Sequence, residues 1–228
     1  MLFDLPYDVN LKTILWIPVM IYLAIIGTIF MIKSKKAAQE IASQKATYRA
    51  MAVVFYCYIA VRFFFILSDY ERDRPGYPAQ GDTMLYFQFV TLSYIFAISA
   101  FLNLIYVFEK YIIKKTKFIM TITFMILLVA NVIMLFLPNY VATMRYINYI
   151  PLYIEIIILF LLYIYLVRKT SGQLKKNSYF CLIGLMLMAG GAVLESEFLS
   201  ATGIVLPYYS PILFAIGSTV FALGQKTL

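Results

Sequence analysis

Residues 84–108 read MLYFQFVTLSYIFAISAFLNLIYVF, a run of 25 residues without a charged side chain. A helix needs about 20 predominantly apolar residues to cross the roughly 30 Å hydrocarbon core of a bilayer. Apolar stretches of about 10 to 14 residues are more typical of helices in the core of a soluble domain. The run therefore predicts a membrane-spanning helix, and it decides the class of the protein.

The composition of the whole chain agrees with this interpretation. Of the 228 residues, 63% are hydrophobic and 13% are charged, and the mean hydropathy is +0.86. Soluble domains carry about 25% charged residues. We therefore predict an all-α fold: one polytopic membrane domain, residues 1–228, with seven spans. The predicted spans are Thr13–Ile32, Tyr48–Leu67, Met84–Phe108, Phe118–Leu137, Tyr149–Val167, Tyr179–Phe198 and Ile204–Leu223.

Basic residues are divided unequally between the two sets of loops that alternate along these spans. Lys and Arg are retained on the cytoplasmic side of a membrane far more often than they are translocated. One set of loops carries 14 basic residues and the other carries 4, and Arg62 inside the second span completes the 19. We therefore expect the N-terminus outside and the C-terminus in the cytoplasm. The net charge of +8 then reflects orientation and contact with membrane lipids, and we expect no nucleic-acid partner.

The absence of histidine excludes several kinds of chemistry. Histidine-ligated metal sites, Ser-His hydrolases and histidine proton relays all require it. A retinal Schiff base needs a lysine deep in the last span, whereas Lys226 lies at its inner end. Cys57 and Cys181 fall inside predicted helices and are expected to be small packing residues rather than a disulfide. We expect no cofactor, no metal and no catalytic activity.

Charged side chains inside the spans are the main indications of a functional site. Such charges are costly in a bilayer unless they face the bundle interior and find partners. Arg62 and Glu155 lie about six residues, and Glu195 about three, from the outer ends of their spans, which places them in the outer third of the bilayer. Gln88 and Asn131 fall at a similar depth. These residues predict a polar chamber in the outer half of the bundle.

Helical spacing predicts which side of each helix carries these charges. Tyr58 precedes Arg62 by four residues and Phe65 follows it by three, so the three side chains share one face of the second span. Gly184 and Gly191 share the face of Glu195 and would let a neighbouring helix come close. Two roles stay open for Arg62 with Glu155: an ion pair that fixes helix register, or a ligand or ion site.

A resemblance to a known family rests on two segments. The first is Phe108-Glu109-Lys110-Tyr111 running into Lys114-Lys115-Thr116-Lys117, and the second runs from Gly184 and Gly190-Gly191 to Pro211-Ile212-Leu213-Phe214-Ala215-Ile216-Gly217. In these segments the chain resembles the seven-helix membrane input modules of bacterial and archaeal sensor kinases and their stand-alone archaeal relatives. The resemblance implies signal sensing or partner binding, and it suggests the plasma membrane of a prokaryote.

The predicted function is that of a membrane sensor or receptor. The chain ends five residues after Leu223, so we expect any signal to pass to a separate cytoplasmic or membrane protein. The expected partner-binding residues are the cations of the inner loops: Lys114, Lys115, Lys117, Arg168, Lys169, Lys175 and Lys176. Two alternatives remain. A channel or small-solute transporter would use the same polar residues, and a structural or accessory membrane protein would need no ligand at all.

Overall fold

The computed structural model describes residues 7–37, 42–74, 76, 83–111, 117–137, 141–194 and 208–225, apart from the side chains of residues 7–10, 141–147, 149–152 and 155. The described residues form seven α-helices and no strand, which confirms the all-α class. The helices are α1 (Tyr7–Lys36), α2 (Ala42–Arg72), α3 (Met84–Tyr111), α4 (Ile119–Met134), α5 (Val141–Lys169), α6 (Gly172–Leu194) and α7 (Tyr209–Gly224).

Within the described residues, four helices are long and apolar enough to cross a membrane, namely α1, α2, α3 and α6. The helices α4 and α7 are apolar but contain 16 residues each, about 24 Å of helix. The four long helices are the elements expected of an integral membrane protein.

One side of α1 carries exposed apolar side chains along its length. The isoleucines on this side are spaced three to four residues apart and are each 47–59% exposed, whereas Trp16, Leu23 and Phe30 are buried. The exposed positions include Ile14, Ile17, Ile21 and Ile25. A regular stripe of large exposed apolar side chains marks an interaction surface, and on a helix of this length it suits contact with lipid.

Some helix ends differ from the sequence prediction. The second span was predicted to end at Leu67, whereas α2 continues to Arg72. Ser68 does not break the helix, since its hydroxyl donates to the carbonyl oxygen of Phe65 within the preceding turn at 2.8 Å. Among the described residues the last helix runs from Tyr209, and the predicted start of the last span, Ile204, lies outside them.

The helices belong to two compact units, Met1–Val9 with Leu23–Leu152 and Asn10–Tyr22 with Tyr153–Leu228. In the first unit, one face of α3 packs against α4. The side chains that form this core are Tyr86, Val90, Tyr94, Ile98, Ile105, Phe124 and Leu127. The α3 residues of this core are four or seven positions apart, as expected for a helix that buries one side.

In the second unit, α6 and α7 are in contact along a seam of glycines. A Cβ atom placed on Gly184 would lie 2.5 Å from the backbone nitrogen of Phe221 and 2.7 Å from the carbonyl oxygen of Gly217. A Cβ atom on Gly217 would lie 2.8 Å from the carbonyl oxygen of Gly184. The two backbones therefore approach closely only because both residues lack side chains. The predicted role of Gly184, close approach of a neighbouring helix, is confirmed.

Candidate functional site

Arg62 lies on α2 with only 6% of its surface exposed. Its Nε and Nη2 atoms both donate to the hydroxyl oxygen of Tyr58, at 2.9 and 2.7 Å. The guanidinium carbon also lies 5.2 Å from the ring centre of Tyr58 and 6.0 Å from that of Phe65. The predicted shared face of Tyr58, Arg62 and Phe65 is confirmed, and it surrounds a buried cation with aromatic rings.

The neighbouring helix holds α2 in place at the level of Arg62. The hydroxyl of Ser93 on α3 donates to the carbonyl oxygen of Val61 at 3.3 Å. Phe65 packs edge to face against Tyr94, with ring centres 6.1 Å apart. The Arg62 side chain is therefore fixed on a helix that is itself packed against α3, which limits the freedom of the cation.

Asn131 forms a reciprocal pair with Asn148. Each amide nitrogen donates to the amide oxygen of the other residue, at 2.9 and 2.7 Å, and both side chains are 1% exposed. The pair joins α4 to α5. The sequence prediction named Asn131 but missed Asn148, because the fifth span was predicted to begin at Tyr149 whereas α5 begins at Val141. Two amides that satisfy each other in this way form a strong helix contact.

For the remaining residues of the predicted chamber, the structure gives only the burial of Gln88 and the helix that contains Glu155. Gln88 is half-buried on α3, and Thr91 one turn further on is buried. Glu155 lies within α5, but its side chain is outside the description, and Glu195 lies outside the described residues altogether. The predicted pairing of Arg62 with Glu155 therefore stays a prediction.

Glu71 and Glu109 are two buried carboxylates that the prediction did not assign to a site. Glu71, near the end of α2, accepts a hydrogen bond from the hydroxyl of Thr83 at 3.1 Å. Its carboxylate also forms an ion pair with the guanidinium of Arg74, at 3.1 Å. Thr83 in turn accepts a hydrogen bond from the backbone nitrogen of Tyr86 in the first turn of α3. Glu71 thus helps to hold the start of α3 beside the end of α2.

Glu109, near the end of α3, holds the start of α4. Its carboxylate accepts hydrogen bonds from the backbone nitrogens of Met120 and Thr121, at 3.1 and 2.8 Å, and from the Thr121 hydroxyl. Phe118, the residue that precedes α4, makes no side-chain cap. A carboxylate at a helix N-terminus satisfies free N–H groups and complements the helix dipole. Glu109 therefore caps α4 from the end of α3.

The second unit contains a buried polar cluster that the prediction also missed. The amide nitrogen of Gln225 lies 3.3 Å from the Tyr163 hydroxyl and 3.3 Å from the Cys181 sulfur. Cys181 is fully buried, and a Cβ atom on Gly224 would lie 2.7 Å from its sulfur. The packing role predicted for Cys181 is confirmed, and the thiol also has a polar neighbour.

The predicted partner-binding cations are exposed wherever they are described: Lys117, Arg168, Lys169, Lys175 and Lys176. Lys114 and Lys115 lie outside the described residues. Among the side chains that the structure describes, no three His, Cys, Asp or Glu residues are grouped so that they could hold a metal ion. The chain matches no protein-family model, no curated protein sequence and no solved structure.

Proposed function

We propose that the chain is a seven-span membrane sensor of the receptor type, with its N-terminus outside and its C-terminus in the cytoplasm. The helices of the described residues follow the order of the apolar runs of the sequence, and four of them are long and apolar enough to cross a membrane. The 14 to 4 division of basic residues supports the orientation. In this arrangement Arg62 lies in the outer part of α2, and the exposed cations Arg168, Lys169, Lys175 and Lys176 lie at the inner surface.

The observation that carries the proposal is the buried guanidinium of Arg62, oriented by the hydroxyl of Tyr58 inside an apolar helix. A charged side chain within a membrane span is costly unless it finds partners, and such a residue is by default a candidate for a ligand or ion site. Arginine presents five N–H donors in a planar fork that matches a carboxylate or phosphate group. The proposed ligand is therefore a small anion.

The helix contacts provide a route by which ligand binding could reach the inner surface. Ser93 ties α3 to α2 at the level of Arg62, and Glu109 ties the far end of α3 to α4. Ser93 and Glu109 are 16 positions apart in α3, which corresponds to about 24 Å of continuous helix. A ligand bound to Arg62 would act on α2 at the level where Ser93 holds it against α3, and a rigid α3 would carry a displacement there to the turn before α4. A separate partner protein would bind at this turn and respond to the displacement.

A thermal-shift screen with small anions tests this proposal. The full-length wild type is compared with Arg62→Met and with Arg49→Met, which removes an exposed arginine from the same helix. A ligand at ten times its dissociation constant stabilises the folded state by about 1.4 kcal/mol. We expect at least one carboxylate or phosphate compound to raise the melting temperature of the wild type and of Arg49→Met but not of Arg62→Met.

Two results would contradict the proposed receptor function. If every anion that stabilises the wild type stabilises Arg62→Met equally, the buried arginine is a packing element and not a binding group. If the bound anion crosses the membrane of liposomes that contain the wild type, and Arg62→Met abolishes the flux, the protein is a transporter.

The variant Tyr58→Phe keeps the ring and removes the hydroxyl, so it should weaken anion binding without removing the charge.

A further inference from the structure

A groove lies beside the first turns of α6, at the end of the helix that carries its lysines. Its volume is about 360 Å³. The groove is lined by Gly172, Lys175, Lys176, Tyr179, Phe180 and Ile183. Two lysines thus line the groove together with two aromatic side chains and an isoleucine. This composition suits a ligand with an anionic end and an apolar body.

The chain segment that contains the groove residues carries charges of one sign. Residues 156–194 contain Arg168, Lys169, Lys175 and Lys176 but no Asp or Glu. All four cations are exposed, and the α5 and α6 residues that bear them are separated by the short turn before Gly172. The first turn of a helix also presents backbone N–H groups that favour negative charge. The polar end of the groove is therefore complementary to an anion.

The apolar side of the groove continues along the exposed side of α6. Tyr179, Ile183, Met186 and Val193 are each at least 40% exposed, and their spacing of four, three and seven residues keeps them on one side of the helix. From Tyr179 to Val193 this face is about 21 Å long, more than half the thickness of the hydrocarbon core. A soluble anion would leave this face bare, whereas an acyl chain would cover it.

We propose that this groove binds an anionic phospholipid of the inner leaflet, with the phosphate against Lys175 and Lys176 and one acyl chain along the exposed face of α6. Lysine side chains that extend from an apolar surface toward the headgroup level suit this arrangement. The site rests on the membrane placement of α6 and on no property of Arg62. The lipid therefore anchors α6 at a fixed depth, whether or not a small anion binds in the outer half.

Native mass spectrometry of the full chain in a neutral detergent tests this site. Phosphatidylglycerol is the anionic probe, and phosphatidylcholine is the probe without net charge. We expect the wild type to retain phosphatidylglycerol preferentially. Lys175→Gln with Lys176→Gln should weaken that binding roughly tenfold or more, since each basic residue near an anionic surface contributes a factor of about 5. Lys175→Arg with Lys176→Arg should retain the binding.

The matched control is the pair Lys35→Gln and Lys36→Gln, two adjacent exposed lysines at the end of α1. We expect this double variant to bind phosphatidylglycerol within about twofold of the wild type, because the groove is intact. Equal losses in both glutamine pairs would show only general charge attraction and would overturn the proposal. Displacement of the lipid by millimolar inorganic phosphate would also overturn it, because the site would then be selective for a soluble anion.

Discussion

Gly184→Ala is expected to be strongly destabilising, by about 3 kcal/mol, because the new methyl group has no space. It would lie 2.5 Å from the backbone nitrogen of Phe221 and 2.7 Å from the carbonyl oxygen of Gly217, and backbone atoms cannot move aside as a flexible side chain can. Overpacking in a well-packed site costs about 1 to 3 kcal/mol. For a chain of this size the loss corresponds to a fall of roughly 6 to 12 °C in the melting temperature.

Gly190→Ala is the matched control on the same helix. A Cβ atom placed on Gly190 meets nothing within 4 Å. Alanine is also favoured over glycine in a helix interior by roughly 0.5 to 1 kcal/mol. We therefore expect Gly190→Ala to keep or slightly raise the melting temperature. Equal effects of the two substitutions would contradict the close contact of α6 with α7.

Asn131→Leu is expected to destabilise the protein by about 2 kcal/mol, because it leaves the buried amide of Asn148 without its reciprocal partner. Asn148→Leu should cost a similar amount for the same reason. The double variant removes both amides together and should cost less than the sum of the two single losses. The expected coupling is about 1 to 2 kcal/mol, since two hydrogen bonds join the pair and each averages about 0.6 kcal/mol between membrane helices.

Thermal unfolding of the four proteins in one detergent measures this coupling. Strictly additive losses would show that the two amides do not interact, and the contact between α4 and α5 would have to be assigned to other side chains. A third variant, Thr123→Val, serves as a control because Thr123 is exposed and its hydroxyl donates to the carbonyl oxygen of Ile119 within its own helix. We expect its melting temperature to stay within the range of ordinary surface substitutions.

The sequence was sufficient to predict the features that depend on one helix at a time. The apolar run from Met84 onward predicted α3, which begins at that residue. The shared face of Tyr58 and Arg62 follows from a separation of four residues, so it needs no knowledge of how helices pack. The role of Gly184 was also predictable, since a glycine on a helix face permits close approach of whichever helix lies beside it.

Contacts between helices were harder to predict, because they depend on the rotation and depth of two helices at once. Asn148 was assigned to a loop, since a polar residue just outside an apolar run looks like the end of a span. Glu109 caps α4 across 11 and 12 residues of sequence separation, to Met120 and Thr121, and no local pattern indicates that bond. Gln225 follows the predicted end of the last span at Leu223, so its burial beside Cys181 was not expected.

The most direct test of the account is the orientation of the helices, because the receptor proposal and the lipid site both depend on it. Single cysteines are introduced at Arg74, beyond α2, and at Lys117, before α4, both of which are exposed. The wild type measures background labelling of the native cysteines, Cys57 within α2 and Cys181 within α6. We expect a membrane-impermeant maleimide to label the Arg74→Cys variant in intact cells and the Lys117→Cys variant only after the cells are opened. Labelling of Lys117→Cys in intact cells, with none of Arg74→Cys, would reverse the orientation and contradict the account.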